Sequence, residues 1–174
     1  MIVPTPAGGI RSARVEGYKD PFIFWAEGAW HCFVIGVMRT EQIFHFRSAD
    51  GERWEPVGDP VVPVMQLSGW HNYFIRPASV LPLGVGYLFV YEGSHSTWHD
   101  PVYNIATGLG YTFDLHHVVD LTPDSPLLVS TTPSPLFSTW RYSHWLHVGD
   151  EVWAYAEVAR PNRTNEIRLF RLRR

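Results

Sequence analysis

The stretch Arg76-Pro77-Ala78-Ser79-Val80-Leu81, followed by Pro82-Leu83-Gly84-Val85-Gly86 and then Tyr87-Leu88-Phe89-Val90-Tyr91-Glu92, decides how the chain is read. Two runs rich in β-branched and aromatic residues flank a turn with two glycines, the pattern of a β-hairpin. The pattern occurs twice more. Upstream, Asp20-Pro21-Phe22-Ile23-Phe24-Trp25 leads through Ala26-Glu27-Gly28 into Ala29-Trp30-His31-Cys32-Phe33-Val34-Ile35. Downstream, Arg141-Tyr142-Ser143-His144-Trp145-Leu146 leads through His147-Val148-Gly149-Asp150 into Glu151-Val152-Trp153-Ala154-Tyr155-Ala156-Glu157.

Two of the three units continue alike. Ile43-Phe44-His45-Phe46-Arg47-Ser48 enters a turn at Asp50-Gly51 and leaves through Trp54, and residues 103–111 turn near Asp114. Outer strands are expected over 58–62 and 124–128. The third unit has only residues 166–171 in its remaining part, so its fourth strand is missing, and Ile2-Val3 could supply it within the chain or from a partner. Four short strands per repeat, with repeats starting at 20, 76 and 141, is the pattern of a β-propeller blade. The competing reading is three unrelated hairpins in a sandwich. The expected fold is therefore all-β and propeller-like, about three four-stranded blades in one domain over 1–174. The blade-like repeats cover approximately 18–65, 70–130 and 132–174. Three blades leave open sheet edges, so completion by a second copy, a homodimer, is expected.

Composition agrees. Of 174 residues 45% are hydrophobic and 18% charged, enough to build a core and to exclude wholesale disorder. Aromatics at 15%, with 14 Gly and 14 Pro, favour strands over helices. No run approaches the roughly 20 apolar residues of a membrane helix, and residues 1–6 lack a leader pattern. A net charge of −3 argues against nucleic acid as a partner, and the six arginines between 160 and 174 read as a solvated or partner-paired edge. One cysteine, Cys32, excludes a disulfide framework, and a reducing, cytoplasmic setting is expected. No phosphate-cradling glycine loop and no serine elbow is present, and no cofactor is expected.

In a blade the inner strand lines the axis and direction alternates outward. The start of the first strand, the end of the second, and the loop after it share one face. That face collects Asp20, Arg76 and Arg141, then Glu92 and Glu157, with Ile35 at the matching place in the first unit. It also gathers Trp70 and His71, and the loop carrying His95, Trp98, His99 and Asp100. Aromatic plates beside charged groups suit sugars, because a ring covers the apolar face of a pyranose while charges bind its hydroxyls in pairs. Each residue also has a plainer reading. Asp20 could make a strand-entry turn bond, and Glu92 and Glu157 could pair Arg76 or Arg141. A metal cluster of His95, His99 and Asp100 is weighed and set aside, so no metal is expected. Trp25, Trp30, Trp54 and Trp153 read as core, and Trp70 and Trp98 as ligand contacts.

Lys19-Asp20-Pro21-Phe22 with Trp25, the Ser48-Ala49-Asp50-Gly51 turn leading to Trp54, Arg76-Pro77-Ala78-Ser79-Val80, and Tyr91-Glu92-Gly93 resemble the five-bladed β-propeller glycoside hydrolases. That group holds arabinanases, β-xylosidases, fructan hydrolases and mannoside phosphorylases, here in a shortened form. The resemblance implies a carbohydrate ligand and acid–base cleavage of a glycosidic bond, with one carboxyl protonated and one ionised. It implies Asp20 as base or nucleophile and Glu92 as general acid, with Glu157 behind it. Arg76 and Arg141 would be substrate clamps, and Trp70, His71, His95, Trp98 and Asp100 further substrate contacts. Arginines stand where a hydrolase carries acids, and Arg76-Pro77 is similar to the phosphorylase branch. Two alternatives stay open: a non-catalytic sugar-binding module, and a propeller-remnant scaffold without a small ligand.

Overall fold

The computed structural model describes residues 15–60, 62–130 and 138–173. Eleven strands run in chain order among them: β1 (Gly17–Ala26), β2 (Ala29–Val37), β3 (Glu41–Ser48), β4 (Glu55–Pro56), β5 (Phe74–Pro82), β6 (Tyr87–Ser94), β7 (Ala106–Thr112), β8 (Val119–Asp120), β9 (Trp140–Val148), β10 (Glu151–Ala159) and β11 (Asn165–Arg173). A 3-10 turn, Gly69–His71, precedes β5. The strands form three antiparallel sheets: β1-β2-β3-β4, β5-β6-β7-β8 and β9-β10-β11. The fold is all-β and propeller-like, and the third sheet lacks a fourth strand among the described residues. Ile2 and Val3, expected to offer that strand, lie outside them.

Local chemistry explains the hairpins. Glu27 and Gly28 both have positive φ, +48° and +74°, so the two-residue turn between β1 and β2 twists with its strands. The short outer strands sit earlier than the sequence indicates. Trp54 buries directly after the Asp50 turn, so Glu55 and Pro56 pair with Arg47 and Phe46 at once. In the second sheet Val119 and Asp120 pair with Tyr111 and Gly110. The described residues of 58–62 form no strand, and in 124–128 only Leu128 bridges, to Thr107 at the start of β7.

Each inner strand carries a two-against-one β-bulge near its start. Between the pairs Lys19↔Ile35 and Phe22↔Phe33, Asp20 and Pro21 face Val34 alone. Between Arg76↔Glu92 and Ser79↔Val90, Pro77 and Ala78 face Tyr91. Between Arg141↔Glu157 and His144↔Tyr155, Tyr142 and Ser143 face Ala156. Asp20 and Tyr142 take left-handed backbone conformations, φ +50° and +51°, unusual outside glycine. The register thus makes Lys19, Arg76 and Arg141 one set of equivalent positions and Asp20, Pro77 and Tyr142 the next. The sequence had lined up Asp20 with the two arginines, one residue out of step, because a bulge leaves no mark in a hydrophobic pattern.

The first and second sheets pack through Phe33, Ile43, Ile75, Phe89, Tyr91 and Leu115, with the rings of Phe33 and Phe89 edge to face at 4.9 Å. The second and third pack through Ala78, Leu81, Val90, Trp145 and Ala154. A further cluster of Cys32, Val34, Phe44, Phe46 and Trp54 is closed on the other face of the first sheet. By contrast Tyr155, Ile167 and Leu169, alternating on the third sheet, are exposed, Ile167 to 68%. Trp25 and Trp30, expected in the core, stand at the tip of the first hairpin, 54% and 37% exposed and packed edge to face on each other. Trp54, also expected in the core, is there.

Candidate functional site

The starts of the inner strands and the ends of their neighbours bring charged side chains to one end of the sheets. Glu41, which opens β3, is bridged by Lys19 and by Arg76 Nε at 2.5 Å. Burial pushes the Glu41 carboxyl up, but its two cationic partners outweigh that and hold it below the ordinary value. The Arg76 guanidinium lies 4.2 Å over the Phe74 ring. Beside this group a cleft of about 180 Å³ opens, walled by Met38, Glu41, Tyr73, Phe74, Arg76 and Val102.

A second group lies at the equivalent place on the third sheet. Arg141 donates from Nε and Nη2 to the two carboxylate oxygens of Glu157, at 3.1 and 2.9 Å. Burial pushes the Glu157 carboxyl up, but Arg141 and Asn165 together hold it below the ordinary value. The guanidinium faces the rings of Tyr142 at 5.0 Å and Tyr103 at 5.5 Å. Tyr142 and Tyr103 are 55% and 42% exposed, so this group offers aromatic surface and paired charge to solvent together.

Glu92 has a different setting. It is 2% exposed and accepts hydrogen bonds from the Tyr142 and Ser143 backbone N–H groups at 2.9 and 2.7 Å and from Ser143 Oγ at 2.9 Å. Burial drives its pKa upward, against the pull of these donors and of Arg76. It closes the third sheet's bulge from the second sheet and has no open path to a ligand, unlike the general acid the sequence suggested. Asp20 is exposed, on the bulge of β1.

Other residues singled out by sequence divide between structure and surface. His71 is fully enclosed, its Nε2 2.8 Å from Asp120, which also accepts from Tyr91 Oη at 2.7 Å. Trp70 is buried too, donating to the Thr122 carbonyl and stacking on Tyr91 and Trp98. Neither offers a face to a ligand, because both serve the packing under β6. His95 is tied to Asn72 and Thr97, and Asp100 turns the β6–β7 loop with φ +46° and a carbonyl that accepts from Tyr103 and Asn104. Among the described residues no group of three or more His, Cys, Asp or Glu side chains is arranged to hold a metal ion. Sequence reasoning missed Lys19, Glu41, Phe74 and Tyr103. Lys19, the only lysine, and Glu41, an acid opening an apolar strand, were the available signals.

The architecture has known counterparts. No family model and no curated protein matches the sequence. Solved structures do match in fold. A β-1,2-mannobiose phosphorylase from Listeria innocua superposes with a TM-score of 0.69 at 14% identity, over 91% of this chain and 45% of its own. A β-fructofuranosidase from Bombyx mori gives 0.63 at 16%, over 91% and 34%. An α-L-arabinofuranosidase from Podospora anserina, solved with cellotriose, gives 0.60 at 14%, over 88% and 53%. The chain has the fold of the propeller glycoside hydrolases and phosphorylases. It spans about half the length of the phosphorylase and the arabinofuranosidase. No helix among the described residues is long and apolar enough to cross a membrane.

Proposed function

We propose that this chain is a carbohydrate-binding portion of a glycosidase-like propeller that does not carry its own acid–base pair. One observation carries the reading: the three equivalent bulge positions hold Asp20, Pro77 and Tyr142, so an acid stands at only one of them. Cleavage needs two carboxyl groups flanking the bond. The three glutamates at this end are engaged, Glu41 by Lys19 and Arg76, Glu157 by Arg141, and Glu92 by the third sheet's backbone. What is open is aromatic surface next to guanidinium groups, suited to sugar faces and hydroxyls. A cleft of about 180 Å³ is below the usual range for drug-sized ligands and suits a single ring or a chain end.

The test is glycan binding by calorimetry together with an aryl-glycoside panel, with and without phosphate. Arg141→Ala should weaken binding about tenfold or more, the loss of a charge-assisted contact, while Asp20→Asn leaves it unchanged and no aglycone is released. Turnover by the wild type that Asp20→Asn abolishes would establish the enzyme reading instead. That second reading has one observation in its favour: Asp20 is exposed with φ +50°, and such strained residues collect at functional sites. Absence of any glycan binding leaves the scaffold reading.

A second copy of the chain is proposed as partner through the third sheet. Its exposed Tyr155, Ile167 and Leu169 contrast with the closed outer cluster of the first sheet, which favours contact between two third sheets. Light scattering at 20 kDa rather than twice that mass would remove it.

A further inference from the structure

At the end of the sheets opposite the charged site, three histidines occupy the seam between the first and second sheets. His31 on β2 and His45 on β3 are buried, and His31 Nδ1 lies 2.9 Å from His45 Nε2. The two rings are stacked with centroids 5.1 Å apart. Phe24 continues the stack beyond His31 at 5.4 Å, and Phe33 covers His45 at 4.5 Å. His116 comes from the β7–β8 loop of the second sheet, its ring 5.9 Å from that of His45. It is pressed against the chain leaving the first sheet: a Cβ built on Gly58 would stand 2.4 Å from His116 Nε2.

The ring nitrogens of this stack are incompletely satisfied. His31 Nε2, His45 Nδ1 and His116 Nδ1 are buried with no hydrogen-bond partner. A neutral imidazole tolerates such a site at moderate cost, whereas a buried imidazolium without an acceptor does not. The neighbour in the same loop, Leu115, is fully buried in the seam yet held at φ +60°. A strained backbone plugged by an apolar side chain stays seated only while its surroundings favour it.

We propose that the His31–His45–His116 stack is an acid-operated latch: when it takes up a proton, the β7–β8 loop at 113–118 lets go of the first sheet.

The surrounding charges do not rescue the protonated state. From β3, Arg47 opposes charge on both His31 and His45, His31 and His116 oppose charge on His45, and His117 opposes it on His116. From the loop, Asp114 favours charge on His45 and His116, but it is occupied by His117 at 2.6 Å, itself a cation when protonated. From the β1–β2 turn, the Ala26 backbone and then Glu27 favour charge on His31, and Glu27 is shared with Tyr87 of β6, from which it accepts a hydrogen bond at 3.1 Å. Burial is the largest influence on all three rings and holds each below the ordinary histidine value, His45 down to about 3. An unfolded or unlatched chain takes protons near pH 6.5. The latched state is therefore fully stable above about pH 6.5 and loses ground as the pH falls from there toward about 3.

Hydrogen exchange, corrected for intrinsic amide chemistry, reads the latch on the whole chain. Between pH 7.5 and 5, exchange in residues 113–118 and the facing part of β3 should accelerate tenfold or more, with β9 and β10 unchanged. The variant His45→Phe keeps the stacking and should flatten that profile. If H45F does not fold, His116→Gln carries the same comparison. An equal pH response in wild type and variant, or imidazole NMR signals of His31 and His45 titrating near 6.5, overturns the proposal.

Discussion

The two seams between neighbouring sheets are fastened by different means. Where the first sheet meets the second, rings fill the interior, Phe33 against Phe89 and the stack from Phe24 through His31 and His45 to His116, and the directed contacts, Arg76 to Glu41 and Tyr87 to Glu27, join side chain to side chain. Where the second meets the third, side chains also reach across the apolar cluster around Trp145 to backbone. Glu92 receives two N–H groups of the β9 bulge, and Ser79 Oγ accepts from the Trp145 N–H at 2.8 Å. Area-driven packing tolerates small displacements and is indifferent to direction. Directed bonds to buried amides fix one register, and their loss leaves the partner unsatisfied. The second seam is therefore the one that sets how the third sheet's bulge, with Tyr142 and Arg141 on it, stands at the charged end.

That contrast can be broken at either seam, with urea unfolding as the measure. Phe33→Ala should cost most, about 4 kcal/mol, since it removes a fully buried ring from the first seam. It should leave Arg141-dependent glycan binding intact if the seams are independent. Glu92→Ala should cost about 3 kcal/mol by orphaning two buried amides and a hydroxyl. It should also disturb the Tyr142–Arg141 group, so binding weakens with stability. Ser79→Ala should cost about 1 kcal/mol, one hydrogen bond, with the same direction on binding. A Glu92→Ala protein as stable as wild type would refute the account of the second seam.

Much of the architecture could be read from residue order, and the reasons it failed elsewhere are local. The hairpins announce themselves through glycine turns between aromatic runs, and the pairing of Ile35, Glu92 and Glu157 as matching positions agrees with the observed register. The bulges do not announce themselves, so Asp20 was set beside Arg76 and Arg141 when Lys19 belongs there. The outer strands are two residues long and held by few bonds, too little for a pattern to show. Trp70 and His71 pointed toward a ligand only because they lie near the site in sequence. Their buried bonds to Thr122 and Asp120 span some fifty residues, a distance no local pattern reports. The histidine stack was equally hidden, since His31 and His45 become neighbours only diagonally across the β2–β3 register.

The strand β11 borders its sheet, and among the described residues nothing pairs with its far side. Along that border, arginines at 168, 171 and 173 are interspersed with apolar side chains. Arg168 pairs with Glu166 and Arg173 with Glu151, while Arg171 lies over the Trp153 ring, so a strand added there would have to displace or bury those pairs. High salt, which screens those pairs, weakens the guard, and such solutions should turn cloudy where dilute buffer stays clear.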